Sequence, residues 1–166
     1  MSSEMLLDPP VFDATDLRLL DLLQNDASLS NQALAEQAAT SPATALRRVR
    51  RLENDGVIQR RVALLDAQRL GMGLTALVEV VLDRQGAEHL GAFETRAVSE
   101  AAVRQCWRVS PGPDFMLVVQ VADMAGYRAL VQRLFTQDAN VRNVKAYFGI
   151  HCAKFDTRVD LSPHAP

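Results

Sequence analysis

The sequence predicts an α+β chain in two parts: three short helices with an extended segment after them, then a separate β-α-β-β-α-β unit. Three observations carry this. Apolar residues recur at helical spacing up to about Asp55, and alternate between strand and helix spacing after Leu74. Cap residues and breakers stand where each helix must start or stop. Two glycines, Gly71 and Gly73, mark a joint between the two regimes.

Residues 1–12, containing Pro9-Pro10, read as a flexible tail. From Asp13 onward Leu17, Leu19, Leu20, Leu22 and Leu23 form a wide apolar stripe, and Asp13 with Asp16 suits a helix start through capping and the helix dipole. Asp26-Ala27-Ser28 breaks that helix. Ser30 or Asn31 caps a second, short helix bearing Leu34, Ala35 and Ala38. Ser41 caps a third, with Pro42 in the first turn, where an N–H has no partner to lose. Gly56 ends it. Residues 13–60 thus outline a helix-turn-helix. Val57 to Leu65 is rich in strand formers and reads as extended, which makes the domain a winged helix-turn-helix; residues 61–73 form a linker strand and the joint.

Residues 74–158 change character. Leu74–Leu82 alternates as a strand, and Gly86–Ser99 carries Leu90, Phe93 and Ala97 at helical spacing. Val103–Ser110 is a strand, Pro111-Gly112-Pro113 a turn and Phe115–Val121 a strand. Asp123 caps a helix with a stripe of Met124, Tyr127, Leu130, Val131, Leu134 and Phe135. Val141–Phe155 is the last strand, with a bulge expected at Gly149. This order is the ferredoxin-like unit; residues 159–166 form a tail. Both sheet faces are apolar: Ala76, Val78, Val80 and Leu82 oppose Leu77 and Val81, and Phe115, Leu117, Val119 and Val121 oppose Met116 and Val118. Helices cover one face. The other calls for a partner, most simply a second copy packed sheet on sheet with two-fold symmetry.

With 166 residues, 48% apolar and 23% charged, the chain has an ordinary globular composition, which excludes a long disordered or collagen-like chain. No run of about 18 apolar residues is present, so no membrane span is expected. Glu4 and Asp8 stand where a secretory signal would be basic. Two cysteines are too few for a disulfide scaffold, and a cytoplasmic home follows. Cys106 and Cys152 fall on strands at opposite sheet edges, which argues against an internal disulfide. His151 and Cys152, adjacent on a strand, point to opposite faces and do not share a metal. No nucleophile elbow, phosphate loop or zinc-ligand spacing appears, so neither catalytic residues nor a cofactor are expected.

The chemistry lies in charge placement. Net charge is −2, yet Thr40 to Arg61 holds six arginines against Glu53 and Asp55, a local +4 that leaves −6 for the rest. On the second helix of a helix-turn-helix, such segregation is the footprint of a DNA reader. At roughly 100° per residue, Leu46, Val49 and Leu52 are expected to face the first two helices, with Thr44, Arg47 and Arg51 opposite and Arg48 beside them. The N-terminal end of such a helix enters the major groove first. Ala43, Thr44 and Arg47 are therefore the base-edge candidates, Arg47 as a fork on guanine. Arg48 and Arg51 are expected on phosphates, as are the free N–H groups after Ser41. The alternative is a solvated face paired to acids four residues away, but few acids stand at that spacing.

Three stretches, D-A-T-D-L-R-L-L-D-L-L-Q-N-D-A-S from Asp13, S-P-A-T-A-L-R-R-V-R-R-L-E-N-D-G-V-I from Ser41, and A-L-L-D from Ala63, resemble the Lrp/AsnC family of feast/famine transcription regulators. The likeness runs from about Asp13 to Lys154. It implies operator binding by the N-terminal domain. It also implies dimerisation by the C-terminal domain, assembly to an octamer, and sensing of an amino acid or related metabolite between C-terminal domains. The family's effector loop aligns with Val109–Leu117, placing Gly112, Asp114 and Phe115 at the effector, with Met124 and Tyr147 as further pocket residues. Pro111 takes the family's glycine position, and Pro111 and Pro113 remove N–H donors. Ala39 stands where the family has Gly, which alanine permits if φ there is negative. Two-fold symmetry implies a pseudo-palindromic operator on double-stranded DNA. Two alternatives stand beside this. Siroheme decarboxylases look like the family in both domains, but need a His-lined cleft and no basic helix. A metabolite-binding oligomeric module without DNA binding is opposed by the basic helix alone.

Overall fold

A computed structural model describes residues 12–162; the expected tail residues 1–11 and 163–166 lie outside them. The chain forms two compact units: one built from the residues up to Leu64 together with the segment from Phe155, the other from Leu65–Lys154.

In the first unit α1 (Ala14–Asn25) begins at a capping box. The Asp13 carboxylate accepts the N–H groups of Thr15 and Asp16, each at 2.9 Å, and the Asp16 carboxylate reaches back to the Asp13 N–H. Ser30, not Asn31, caps α2 (Asn31–Gln37). Asn31 instead donates its side-chain amide to the Pro42 carbonyl at 2.9 Å and fastens the two helix starts together. Between α2 and α3 (Pro42–Asn54) the Thr40 N–H reaches the Ala35 carbonyl and the Ala39 N–H that of Glu36, a Schellman end. That motif demands a left-handed residue, and Ala39 has φ +53, so the condition under which alanine sits there without strain is not met. The chain tightens this turn with a residue carrying a Cβ. Leu19, Leu23, Leu34, Ala35, Ala38, Ala45 and Val49 close the core.

The expected wing strand does not form. Residues 57–73 contain no strand among the described residues, although Val62, Leu64 and Leu65 are strand formers. A strand needs a ladder partner, and this stretch has none among the described residues. The C-terminal segment supplies a feature with no sequence signal. Val159 exchanges two hydrogen bonds with the Gln24 side chain, at 2.9 and 3.0 Å, and Arg158 donates to the Asn25 side chain at 3.0 Å. Within the described residues 155–162, Arg158 and Val159 thus make a strap on the end of α1.

In the second unit β1 (Leu74–Leu82), β2 (Val103–Arg108), β3 (Phe115–Val121) and β4 (Val141–Phe148) form one antiparallel sheet in the order β2-β3-β1-β4. Helices α4 (Ala87–Ser99) and α5 (Met124–Leu130, continued by a π-helical turn through Thr136) follow β1 and β3, completing the ferredoxin-like order. Phe93, Ala97, Leu130, Leu134 and Phe135 cover the face made by Val78, Val80, Phe115, Leu117 and Val119. β4 stops at Phe148. Gly149 donates to the Thr75 carbonyl at 2.8 Å, and beyond that point β1 has only Leu74 left to offer. The register irregularity sits at Val81/Leu82, at the opposite end of β4 from the bulge expected at Gly149. The second sheet face is open: Leu77, Trp107 and Tyr147 are 46%, 59% and 42% exposed on it. Cys106 and Cys152 are both free thiols.

Candidate functional site

The basic helix is set by its first turn. The Ser41 hydroxyl accepts the Thr44 N–H at 3.2 Å and donates to the Thr44 hydroxyl oxygen at 2.9 Å. The inward face is Ala45, Val49 and Leu52, all buried, and not Leu46, which is 41% exposed. Helical geometry explains the exchange. At ~100° per residue Leu46 stands about 60° beyond Val49, while Ala45 falls between Val49 and Leu52. The outward stripe is consequently Ala43, Arg47, Arg50 and Asn54. With Leu46 these residues line a shallow surface depression on α3.

The arginines divide into two sets. Arg48 donates to Asp13 at 2.6 Å and to Asp16 at 2.9 Å, and Arg51 donates to Asp16 at 2.6 Å. Asp16 is 2% exposed, whereas Arg51 is 45% exposed. Burial pushes the Asp16 carboxyl up, but hydrogen bonds from Arg48 and Arg51 overcome it and hold the group below its ordinary range. Asp13 is lowered too, by the Asp16 N–H and by Arg48. The guanidinium of Arg48 is correspondingly raised. The acids stand at the start of α1 and its cap, 32 and 35 positions upstream of Arg48, and not four residues away on α3. Among the described residues no ion pair engages Arg47 or Arg50.

Sequence reasoning missed Asp16 and Arg50. A signal for Asp16 was present: it lies three residues before Leu19 and seven before Leu23, on the buried stripe of α1. A carboxylate on such a stripe requires a cationic partner.

The five effector candidates do not converge within one chain. Gly112 has φ +126, which explains why the turn's glycine sits there and not at Pro111. The Asp114 carboxylate accepts the Leu82 N–H at 2.7 Å, while its own N–H donates to the Val80 carbonyl at 2.9 Å. Phe115 is fully buried, its ring 4.8 Å from that of Phe93. Met124 follows the opposite end of β3, where Val121 pairs with Leu74, whereas Phe115 pairs with Val80. Six residues of strand place these ends roughly 20 Å apart. Tyr147 lies on the open sheet face, donating to Glu79 at 3.1 Å, with the Lys145 ammonium 5.1 Å from its ring centre. No helix among the described residues is long and apolar enough to cross a membrane.

A helix-turn-helix whose second helix presents a basic stripe with Arg47 and Arg50 free of ion pairs among the described residues, followed by a separate ferredoxin-like unit, defines a two-domain DNA-binding regulator. Family comparison agrees in both parts: residues 12–59 match the winged helix-turn-helix DNA-binding family and residues 75–159 the Lrp/AsnC ligand binding domain. The chain belongs to the Lrp/AsnC family of transcription regulators. The leucine-responsive regulatory protein of Rhizobium meliloti is 37% identical over 149 residues, covering 90% of this chain and 96% of that one. The DNA-binding transcriptional activator DecR of Escherichia coli K12 is 34% identical over 151 residues, 91% of this chain and 99% of its own. A Neisseria meningitidis transcriptional regulator, solved in complex with L-Met, superposes with a TM-score of 0.86 at 26% identity, covering 92% and 98% of the two chains. These relationships make the protein a regulator and set the enzyme alternative aside.

Proposed function

We propose that the protein binds a pseudo-palindromic operator as a homodimer that assembles further, to an octamer, in the cytoplasm, under control of an amino acid or related metabolite. The observation that carries this is the unpaired basic stripe on α3. Ala43, Thr44 and Arg47 meet base edges in the major groove, Thr44 with the hydroxyl proton that its contact with Ser41 leaves free. Arg50 joins them on the same stripe. Of the N–H groups after Ser41, Pro42 has none and those of Thr44 and Ala45 bond to Ser41, so the Ala43 N–H and the exposed guanidinium of Arg51 take phosphates. Arg48, bound to two carboxylates, positions α3 against α1. The open sheet face, with Leu77, Trp107 and Tyr147, receives the same face of a second copy.

Gly112, Met124 and Tyr147 keep exposed surface for an effector, while Asp114 and Phe115 shape the loop from within. The two ends of the sheet lie too far apart to line one small-molecule pocket in one chain. A pocket using both takes residues from two copies. The effector then acts by favouring one assembly or head spacing over another.

Gel shift over a salt series on DNA from upstream regions tests the core of the proposal. Saturable, steeply salt-dependent retention is expected. Replacing Arg47 and Arg51 together by Ala is expected to weaken it about 100-fold or more and to flatten the salt slope. Unchanged affinity and slope in that variant would overturn the assignment.

A further inference from the structure

Leu46 is a large apolar side chain standing outside the core on the basic face of α3. It is 41% exposed, more open than the residues that build the core of α1–α3. It shares the shallow depression with Ala43, Arg47, Arg50, Arg51, Asn54 and one acid, Asp55, so three arginines there face a single carboxylate. Hydrophobic burial does not account for it, because Ala45 takes the inward position. Surface leucines are common and need no reason by themselves. This one stands beside Arg47 and Arg50, which no ion pair engages among the described residues, so their charge is open to a ligand. The occupant that complements both the charge and the apolar centre is the B-form major groove, where phosphates flank base edges and thymine offers the only methyl group.

We infer that Leu46 is a specificity-determining residue that packs on the C5-methyl of a thymine in each half-site. The inference rests on the DNA-binding reading above and adds a base preference to it. Ala43, one turn earlier on the same side of the helix, leaves space for the base to approach. Arg47 and Arg50 hold the flanking hydrogen-bonding edges and backbone. Leu46 contributes nothing to salt dependence, because it carries no charge.

Deoxyuridine isolates the methyl, since it keeps every hydrogen-bonding group of thymidine and lacks only that substituent. The experiment takes a duplex of about 30 base pairs, selected from a randomised library by the full-length protein. Each thymine is replaced singly by deoxyuridine. For the wild-type protein one replacement in each half-site is expected to weaken binding about four-fold, the equivalent of one buried methyl. Leu46→Ala is expected to bind the thymine and deoxyuridine duplexes equally at that position, with salt slope and melting temperature unchanged. Leu46→Val, which is shorter but still apolar, is expected to keep part of the discrimination. Equal thymine preference in wild type and Leu46→Ala, or no thymine whose methyl matters, overturns the inference while leaving salt-dependent DNA binding intact. Failure of the wild-type protein to select any duplex overturns the DNA-binding reading together with it.

Discussion

The basic helix and the effector-loop segment Val109–Leu117 are both ligand-contacting segments by sequence, and the structure uses their side chains in opposite ways. On α3 the outward residues Arg47 and Arg50 have no carboxylate partner among the described residues, so their charge is available to a ligand. In the loop, Asp114 and Phe115 are spent on the fold: one carboxylate oxygen closes β1, and the ring fills the core against Phe93. A polar or aromatic residue in a family's ligand-binding segment is thus not by that fact a ligand residue. What distinguishes the two cases is whether the fold itself already satisfies the group.

The sharpest test of that contrast is Phe115→Ala. Removing a fully buried ring is expected to destabilise the C-terminal unit by about 3–5 kcal/mol, read by calorimetry or denaturant unfolding. Arg50→Ala is expected to change stability by less than about 0.5 kcal/mol while weakening DNA binding. If Phe115→Ala left stability intact, the loop would belong with α3 and not opposite it. Next comes Asp16, the residue that joins the two categories, since it is buried yet holds the arginines of the basic helix. Asp16→Ala is expected to cost about 1.5–3 kcal/mol in the N-terminal transition, the range for hydrogen bonds to charged groups, and to weaken DNA binding, because Arg48 and Arg51 lose their shared acceptor. Both Asp13 and Asp16 have lowered folded-state pKa values. Their contribution is therefore fully present above the ordinary aspartate range and fades as pH falls below about 4. Acid titration of the N-terminal transition, compared between wild type and Asp16→Asn, checks this; the variant is expected to show a shallower loss. The smallest effect belongs to Ala39. Glycine removes the steric cost of φ +53 but adds freedom to the unfolded chain. Ala39→Gly is expected to stabilise by under about 1 kcal/mol, seen as a small rise in melting temperature.

These contrasts also mark how far the sequence could be read. Elements held by local rules were legible. Asp13, Ser30 and Ser41 cap the helices, Pro42 sits in the first turn of α3, Gly56 follows its end, and β3 runs from Phe115 to Val121 as its alternation predicts. What escaped depended on partners distant in sequence. Strand formers at Val62 and Leu64 stay unpaired because no strand among the described residues lies beside them. Leu46 and Ala45 exchanged places because neighbouring helix positions differ by only ~100°, and small Ala45 fits the tight contact. Asp16 read as a cap and also became an acceptor for α3, 32 and 35 residues on. Helix capping explains why an aspartate stands at the start of α1; it does not reveal which guanidinium crosses to meet it.

The strap from Phe155 has a consequence for how the molecule is made. Gln24 and Val159 are separated by 135 positions, so at about 5–20 residues per second the ribosome needs roughly 7–27 s to deliver the second after the first. The core of α1–α3 uses residues no later than Ile58 and can close on the nascent chain long before then. The DNA-reading half is born early and fastened last: the whole sheet unit must be threaded out before the terminal segment can be laid across the end of α1.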